Sequence, residues 1–213
     1  CSFLLKEESE DTIAIESVTL KGAFSVLKNG QLLLLLFCVF LVSVAGTSIW
    51  NFYSLYMKEN GASASLVGYG LSLQGLFEIP FFYFSAWIIS RLGMKTTLLI
   101  TVLATAIRLS LYSFIDNPTM ALPIEILHGI SWSLFWVICV EWINKLVNAN
   151  WLATGQSLLY AAYYGAGAVI GNYWTGYLAE TGLKISEIFL INAGLVIAVF
   201  ILIAAVLRTN RQN

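Results

Sequence analysis

Glu78, Arg108, Glu125 and His128 are charged or titratable residues set inside long apolar runs. Two carboxylates, a guanidinium and an imidazole at membrane depth are costly to bury, and such groups mark ion or substrate pathways. Glu125 and His128 are three residues apart and share a face if the segment is helical. Ser131, Trp132, Phe135 and Trp136 continue that stripe at helical spacing. The stripe is therefore expected to face protein or a watered cavity rather than lipid. A carboxylate that alternates between a desolvated place and one beside a cation can load and release a proton. Glu78, with Arg108 as its partner, is the first candidate for that task. Glu125 and His128 would gate it or bind polar groups of a solute. Simpler readings stand beside these: a static ion pair for Glu78 and Arg108, a single interhelical bond for His128, and an interface anchor for Glu141.

A second group of residues could recognise a solute. Trp132, Phe135 and Trp136 offer apolar and stacking surface. Tyr160, Tyr163, Tyr164 and Asn172 either line a cavity or face lipid as belt residues. Asn51, Gln74, Ser131 and Gln156 complete the expected substrate-binding set. Gly165, Gly167 and Gly171 lie at the close-approach spacings of membrane helices, Ala161-xxx-Gly165 and Gly167-xxx-Gly171, and are expected to pack against a partner helix.

The elements that must position these residues are apolar. The chain has 213 residues, 59% hydrophobic and 11% charged, with a mean hydropathy of +0.81. Soluble domains carry about 25% charged residues, so the composition is that of an all-α polytopic membrane protein. A net charge of −1 gives no reason to expect nucleic-acid binding. Cys38 and Cys139 fall in apolar runs, where thiols pack. One His and no Cys-x-x-Cys spacing argue against a metal, and no cofactor is expected. The first residue is Cys1, and the chain is expected to be a piece of a longer one.

Residues 1–30 read as a polar entry. Lys6 to Glu16 is mostly acidic and has the composition of a solvated linker on the cytoplasmic side. Residues 31–213 hold six apolar segments, each near the roughly 20 residues that a bilayer requires. They run from about Leu32 to Tyr53, Leu66 to Ile89, Thr96 to Phe114, Met120 to Trp142, Leu152 to Leu178 and Ser186 to Leu207. Backbone groups in lipid must be satisfied within the segment, so all six are expected to be helices. The basic residues Lys6, Lys21, Lys28, Arg91, Lys95, Lys145, Arg208 and Arg211 fall on one side of this arrangement, and only Lys58 and Lys184 on the other. The positive-inside rule places both ends in the cytoplasm.

With these segments in place, the sequence resembles the C-terminal six-helix half of the major facilitator superfamily. The run Ala86-Trp-Ile-Ile-Ser90-Arg91-Leu-Gly93-Met-Lys95 is similar to that superfamily's Gly-xxx-Asp-Arg-x-Gly-Arg-Lys loop. Arg91, Gly93 and Lys95 match, while Ala86, Ser90 and Met94 depart. The resemblance implies a gating-loop role for the three matching residues. Gly68-Tyr69, Glu78-Ile-Pro80, Arg108, Leu127-His128-Gly129, Leu134-Phe135-Trp136 and Ala153-Thr-Gly155-Gln156 resemble the oligosaccharide/nucleoside proton-symporter branch, which includes permeases for lactose, nucleosides and phenylpropionate. Its lactose-transporting members share the arginine at Arg108 and the histidine at His128. They have a lysine at Glu125 and a proton-carrying glutamate at Ser131, and their sugar-gripping glutamate aligns with Gly75. Lactose itself is therefore not the implied solute.

The expectation is a secondary active transporter, a proton-coupled symporter of a sugar, nucleoside or organic acid. Its site would lie near the midplane between two repeats. The missing N-terminal six-helix half would be its partner, and a bacterial inner membrane its setting. Other classes are a non-transporting six-helix scaffold or receptor and a membrane-embedded enzyme. The first has no need of charges at mid-depth. The second lacks the nucleophile, base or metal constellation that it requires.

Overall fold

The computed structural model describes residues 28–207. The expected linker lies almost wholly outside this range, as do Lys6, Lys21, Arg208 and Arg211, on which part of the orientation argument rests. Among the described residues every regular element is helical. Helix α1 spans Gly30–Glu59, α2 Ala64–Leu92 and α3 Met94–Ser113. A fourth stretch comes next, in pieces: a 3₁₀ turn at Pro118–Met120, the short α4 at Ala121–Glu125, a π-helical turn at Gly129–Leu134 and α5 at Phe135–Leu146. The fifth stretch consists of a 3₁₀ turn at Ala149–Trp151, α6 at Leu152–Tyr160, a π-helical turn at Ala161–Gly167 and α7 at Ala168–Glu180. Helix α8, Ile185–Val206, is last.

Three of these, α1, α3 and α8, are long and apolar enough to cross a membrane. Pro118–Glu125 and Gly129–Leu146, bent by 45° at their junction, make a fourth if they form one span. The six expected spans thus reduce to three or four clear ones. Helix α2 has the length, at 29 residues, but carries Gln74, Glu78 and Pro80. The fifth stretch is divided by its π-helical turn. In both places apolarity has been given up where polar and aromatic side chains converge.

The corners obey local chemistry. Asn29 caps α1, its side chain accepting from the backbone N–H groups of Gln31 and Leu32. Asn29 Nδ2 also donates to the Leu146 carbonyl, which ties the start of α1 to the end of α5. Gly93 alone separates α2 from α3, at φ 79°. Only glycine takes that conformation without strain, which makes this corner tight.

The apolar core lies among α1, α3, α5 and α8, with Leu35, Val39, Leu98, Val102, Leu109, Ile138, Ile143, Phe189 and Val196 buried. Helix α2 is different. Its buried residues are Val67, Gly70, Gln74 and Ser85, three to four apart or a multiple of a turn, and much of the rest is exposed. It docks through a narrow stripe of small and polar residues. The stripe can sit close because Gly129 gives way: a Cβ there would collide with the Phe77 carbonyl and the Phe81 ring.

Candidate functional site

That close approach brings the two carboxylates of the sequence reading onto one network. Glu125 is wholly buried near the end of α4. Its Oε2 accepts from Arg108 Nη2 at 2.6 Å and from Gln74 Nε2 at 2.8 Å. Its Oε1 accepts from the Tyr112 hydroxyl at 2.6 Å. Arg108 comes from α3, and its Nη1 lies 2.7 Å from His128 Nδ1. The other ring nitrogen of His128, Nε2, lies 2.8 Å from Glu78 Oε1. A continuous line of hydrogen bonds thus runs from Glu78 through His128 and Arg108 to Glu125. Charge-assisted bonds of this kind are short and strong. The full satisfaction of Glu125 is what lets a carboxylate sit there at all.

One expectation is corrected by this arrangement. The carboxylate that pairs with Arg108 is Glu125, not Glu78, which reaches Arg108 only through His128. Estimated depth puts Glu78 and Arg108 at similar heights, but rotation about the helix axis decides contact. Arg108 points to the fourth stretch, and Glu78 stops one residue short of it.

Beside the network stands an aromatic wall. Trp132 lies 5.5 Å from Trp136 and 5.3 Å from Tyr163, ring centre to ring centre. Trp136 lies 4.8 Å from Tyr160 and 5.5 Å from Tyr164. Trp50 of α1 joins wall to network, with its ring 5.4 Å from both His128 and Trp132. Tyr160, Tyr164 and Trp50 are about half exposed, whereas Tyr163 and Phe135 are buried. The two π-helical turns supply part of this wall, Gly129–Leu134 carrying Ser131 and Trp132, and Ala161–Gly167 carrying Tyr163 and Tyr164. Such turns occur frequently at functional sites. Each is steadied from a neighbouring helix: Ser43 donates to the Tyr163 carbonyl at 2.6 Å, and Thr105 reaches the Ser131 carbonyl at 3.4 Å.

The other candidate residues divide. Gln74 belongs to the network. Ser131 is buried, with its hydroxyl turned to the His128 carbonyl. Asn51 is exposed and donates to Asn172 at 2.7 Å. Gln156 donates to Asn144 at 3.1 Å, apart from the network. Arg91 stacks over Trp87, and Lys95 Nζ donates to the Ala204 carbonyl, holding the α2–α3 corner to the end of α8. A Cβ at Gly167 would press on Ser43, and one at Gly171 would lie 2.7 Å from the Val44 carbonyl. Gly165 differs: a Cβ there would meet nothing within 4 Å, and the residue is on the exposed side, two positions from the packed Gly167. A packing role for Gly165 is therefore corrected among the described residues.

Trp50, Tyr53 and Tyr112 were missed, as was the packing role of Gly129. Tyr112 is legible afterwards, since it comes four residues after Arg108 and so shares its face. A cavity of about 100 Å³ opens between the network and the exposed surface, lined by Trp50, Tyr53, Ser54, Leu71, Gln74, Arg108 and His128 among others. The buried Tyr53 hydroxyl has no hydrogen-bond partner. No group of three or more His, Cys, Asp or Glu able to hold a metal occurs among the described residues.

With this geometry in view, similarity to known proteins is informative. The model of the MFS_1 like family matches residues 3–191. The major facilitator superfamily domain-containing protein 6-like of Mus musculus is 26% identical over 150 residues, which is 70% of this chain and 26% of that protein. The uncharacterized transporter YwbF of Bacillus subtilis is 22% identical over 160 residues, 75% of this chain and 40% of that protein. The crystal structure of the nucleoside transporter NupG superposes with a TM-score of 0.76 at 17% identity, covering 95% of this chain and 54% of that one. The chain thus spans about a quarter of the length of the mouse relative and about half of NupG. The fold of the described residues is that of half a major facilitator transporter.

Proposed function

The chain belongs to the MFS_1 like family of integral membrane proteins, and on that premise we propose that it is the C-terminal six-helix half of a proton-coupled secondary active transporter. The solute is a small polar or aromatic organic molecule. A sugar, a nucleoside (as the name of NupG has it) and an organic acid are the classes that the sequence raises. The observation that supports this reading is the line of hydrogen bonds from the partly exposed Glu78 to the buried Glu125, laid against a wall of half-exposed aromatic rings. A static ion pair would not require a titratable imidazole and a second, reachable carboxylate beside it.

In this reading Glu78 carries the proton. His128 and Arg108 connect it to Glu125, which balances the guanidinium charge. Trp50, Trp132, Trp136, Tyr160 and Tyr164 receive the solute, with Asn51, Asn172 and Gln156 at its edges. A neutral solute would travel with the proton as symport. Opening alternates across the bilayer by rocking against the other six-helix half, with Arg91, Gly93 and Lys95 at the corner that moves. The α2 and fifth-stretch helices count as spans despite their polar or divided sequences. Residues 1–30 then form a linker, and both ends of the segment face the cytoplasm, in a bacterial inner membrane. Uptake by the full-length protein in proteoliposomes tests this: an imposed pH gradient should drive solute accumulation. Tight solute binding with no flux would favour a receptor.

A further inference from the structure

Charge is not balanced where a solute would meet the site. Arg108 and Glu125 neutralise each other at 2.6 Å, and both are buried. Arg108 Nη1 faces His128 Nδ1, and a guanidinium has no acceptor, so that ring nitrogen carries no proton. In this arrangement His128 is a neutral imidazole with its one proton on Nε2, donated to Glu78 Oε1. Glu78 is left as the carboxylate of the cluster without a cationic partner, and its side chain is 27% exposed. Among the residues lining the two cavities beside the site, Arg108 is the sole Lys or Arg. It is only 4% exposed, and both terminal nitrogens are engaged, while its buried Nε has no partner. On this face an anionic solute would meet a surplus negative charge and, among the described residues lining these cavities, no exposed Lys or Arg.

His128, the partner of Glu78, meets the aromatic wall through Trp50, whose ring lies 5.4 Å from both His128 and Trp132. Tyr160 and Tyr164 stack at 5.7 Å, and Trp136 stands edge-on to Tyr160. Tyr164, half exposed, stands in the same wall, with its ring 6.1 Å from that of Trp132. Aromatic faces attract organic ammonium groups, and a carboxylate beside them completes a cation site. Resting on the proton-coupled reading above, we propose that the solute is a monovalent organic cation with a flat aromatic body, and that cation and proton take turns on Glu78. The proton leaves the Glu78 carboxyl for water on the side where the cation enters, and the carboxylate then pairs with the cation. On the opposite side the cation departs and the carboxylate takes a proton from water. One positive charge moves each way, so the cycle is an electroneutral exchange rather than symport. The titratable group in contact with Glu78 is His128 of the fourth stretch; Arg108 and Tyr112 of α3 and Glu125 lie behind it on the network, and Tyr164 of the fifth stretch stands in the wall beside it. Arg108, Glu125 and Tyr112 hold one another in place, which leaves Glu78 as the carboxylate that solvent reaches.

The test uses the full-length protein in detergent and weak buffer, with a pH indicator. The probes are the cations benzyltrimethylammonium and N-methylquinolinium, the anion benzoate and the neutral nucleoside inosine. Both cations should bind and release a proton, and affinity should rise up to about tenfold per pH unit while Glu78 is protonated. Glu78→Gln should lose the proton release and weaken cation binding at least tenfold. Proton release is read on the unmutated protein, so it decides the matter even if that variant does not fold. Cation binding without proton release would overturn the exchange. Inosine or benzoate binding with proton uptake, while both cations fail to bind, would overturn the cation assignment and leave proton-coupled transport standing. Cation binding that releases a proton, without cation flux in proteoliposomes, would instead overturn the transport reading.

Discussion

The polar network and the glycine seam hold helices together by opposite means. On one side, α2, α3 and the fourth stretch meet through Gln74, Arg108, Tyr112, Glu125, His128 and Glu78, nearly all buried and hydrogen-bonded to one another. On the other, α1 meets the fifth stretch through Gly167 and Gly171, where backbone lies against Ser43, Val44 and Thr47. The network is specified by charge, so losing one member strands another. The seam is specified by shape, so adding atoms breaks it. The aromatic wall sits between them and shares both elements. Charge chemistry and solute contact can therefore be damaged separately.

Removing the guanidinium should have the largest effect. Arg108→Ala leaves Glu125 buried without its cation and should cost about 3–5 kcal/mol in thermal melts of the full-length protein. Adding Glu125→Gln should recover a good part of that loss, whereas adding Glu78→Gln should not. Independent addition of Arg108→Ala and Glu125→Gln would break the network side of the comparison.

The seam comes next. Gly171→Leu must displace the Val44 carbonyl and Thr47, and should destabilise by about 1–3 kcal/mol or block conformational exchange. Gly165→Ala, with open space around it, should stay within about 1 kcal/mol of the unmutated protein. Equal behaviour of the two variants would remove close packing as the seam's basis.

Glu78→Gln should disturb folding least among the charge changes, because an amide still accepts from His128 Nε2. Its melting should shift by about 1 kcal/mol or less, while uptake driven by a pH gradient should vanish. A variant that melts much earlier would make Glu78 a structural residue.

Hydropathy and 3.6-residue spacing located the helical segments and the polar and aromatic stripe of the fourth one. The stripe Glu125, His128, Ser131, Trp132 was visible for that reason. Partner choice was not. Spacing gives depth along a helix but no relative rotation, so Glu78 and Glu125 could not be told apart as the mate of Arg108. The π-helical turns at Gly129–Leu134 and Ala161–Gly167 add to the difficulty, since each shifts the helical register of the residues C-terminal to it. Gly165 and Gly167, two residues apart, point to opposite sides of the helix, so Gly165 faces outward while Gly167 packs. The packing role of Gly129 was not legible, because its neighbour is the α2 backbone at Phe77, a contact that no pattern within its own segment encodes.

The central claim, that the exchangeable proton resides on Glu78 while Glu125 serves as the counter-charge to Arg108, has a direct test that needs no solute. Infrared difference spectra of the full-length protein across a pH titration report the carbonyl stretch of any protonated carboxyl. The account predicts a titrating carboxyl band that disappears in Glu78→Gln and persists in Glu125→Gln. A band that survives Glu78→Gln and is lost in Glu125→Gln would contradict it.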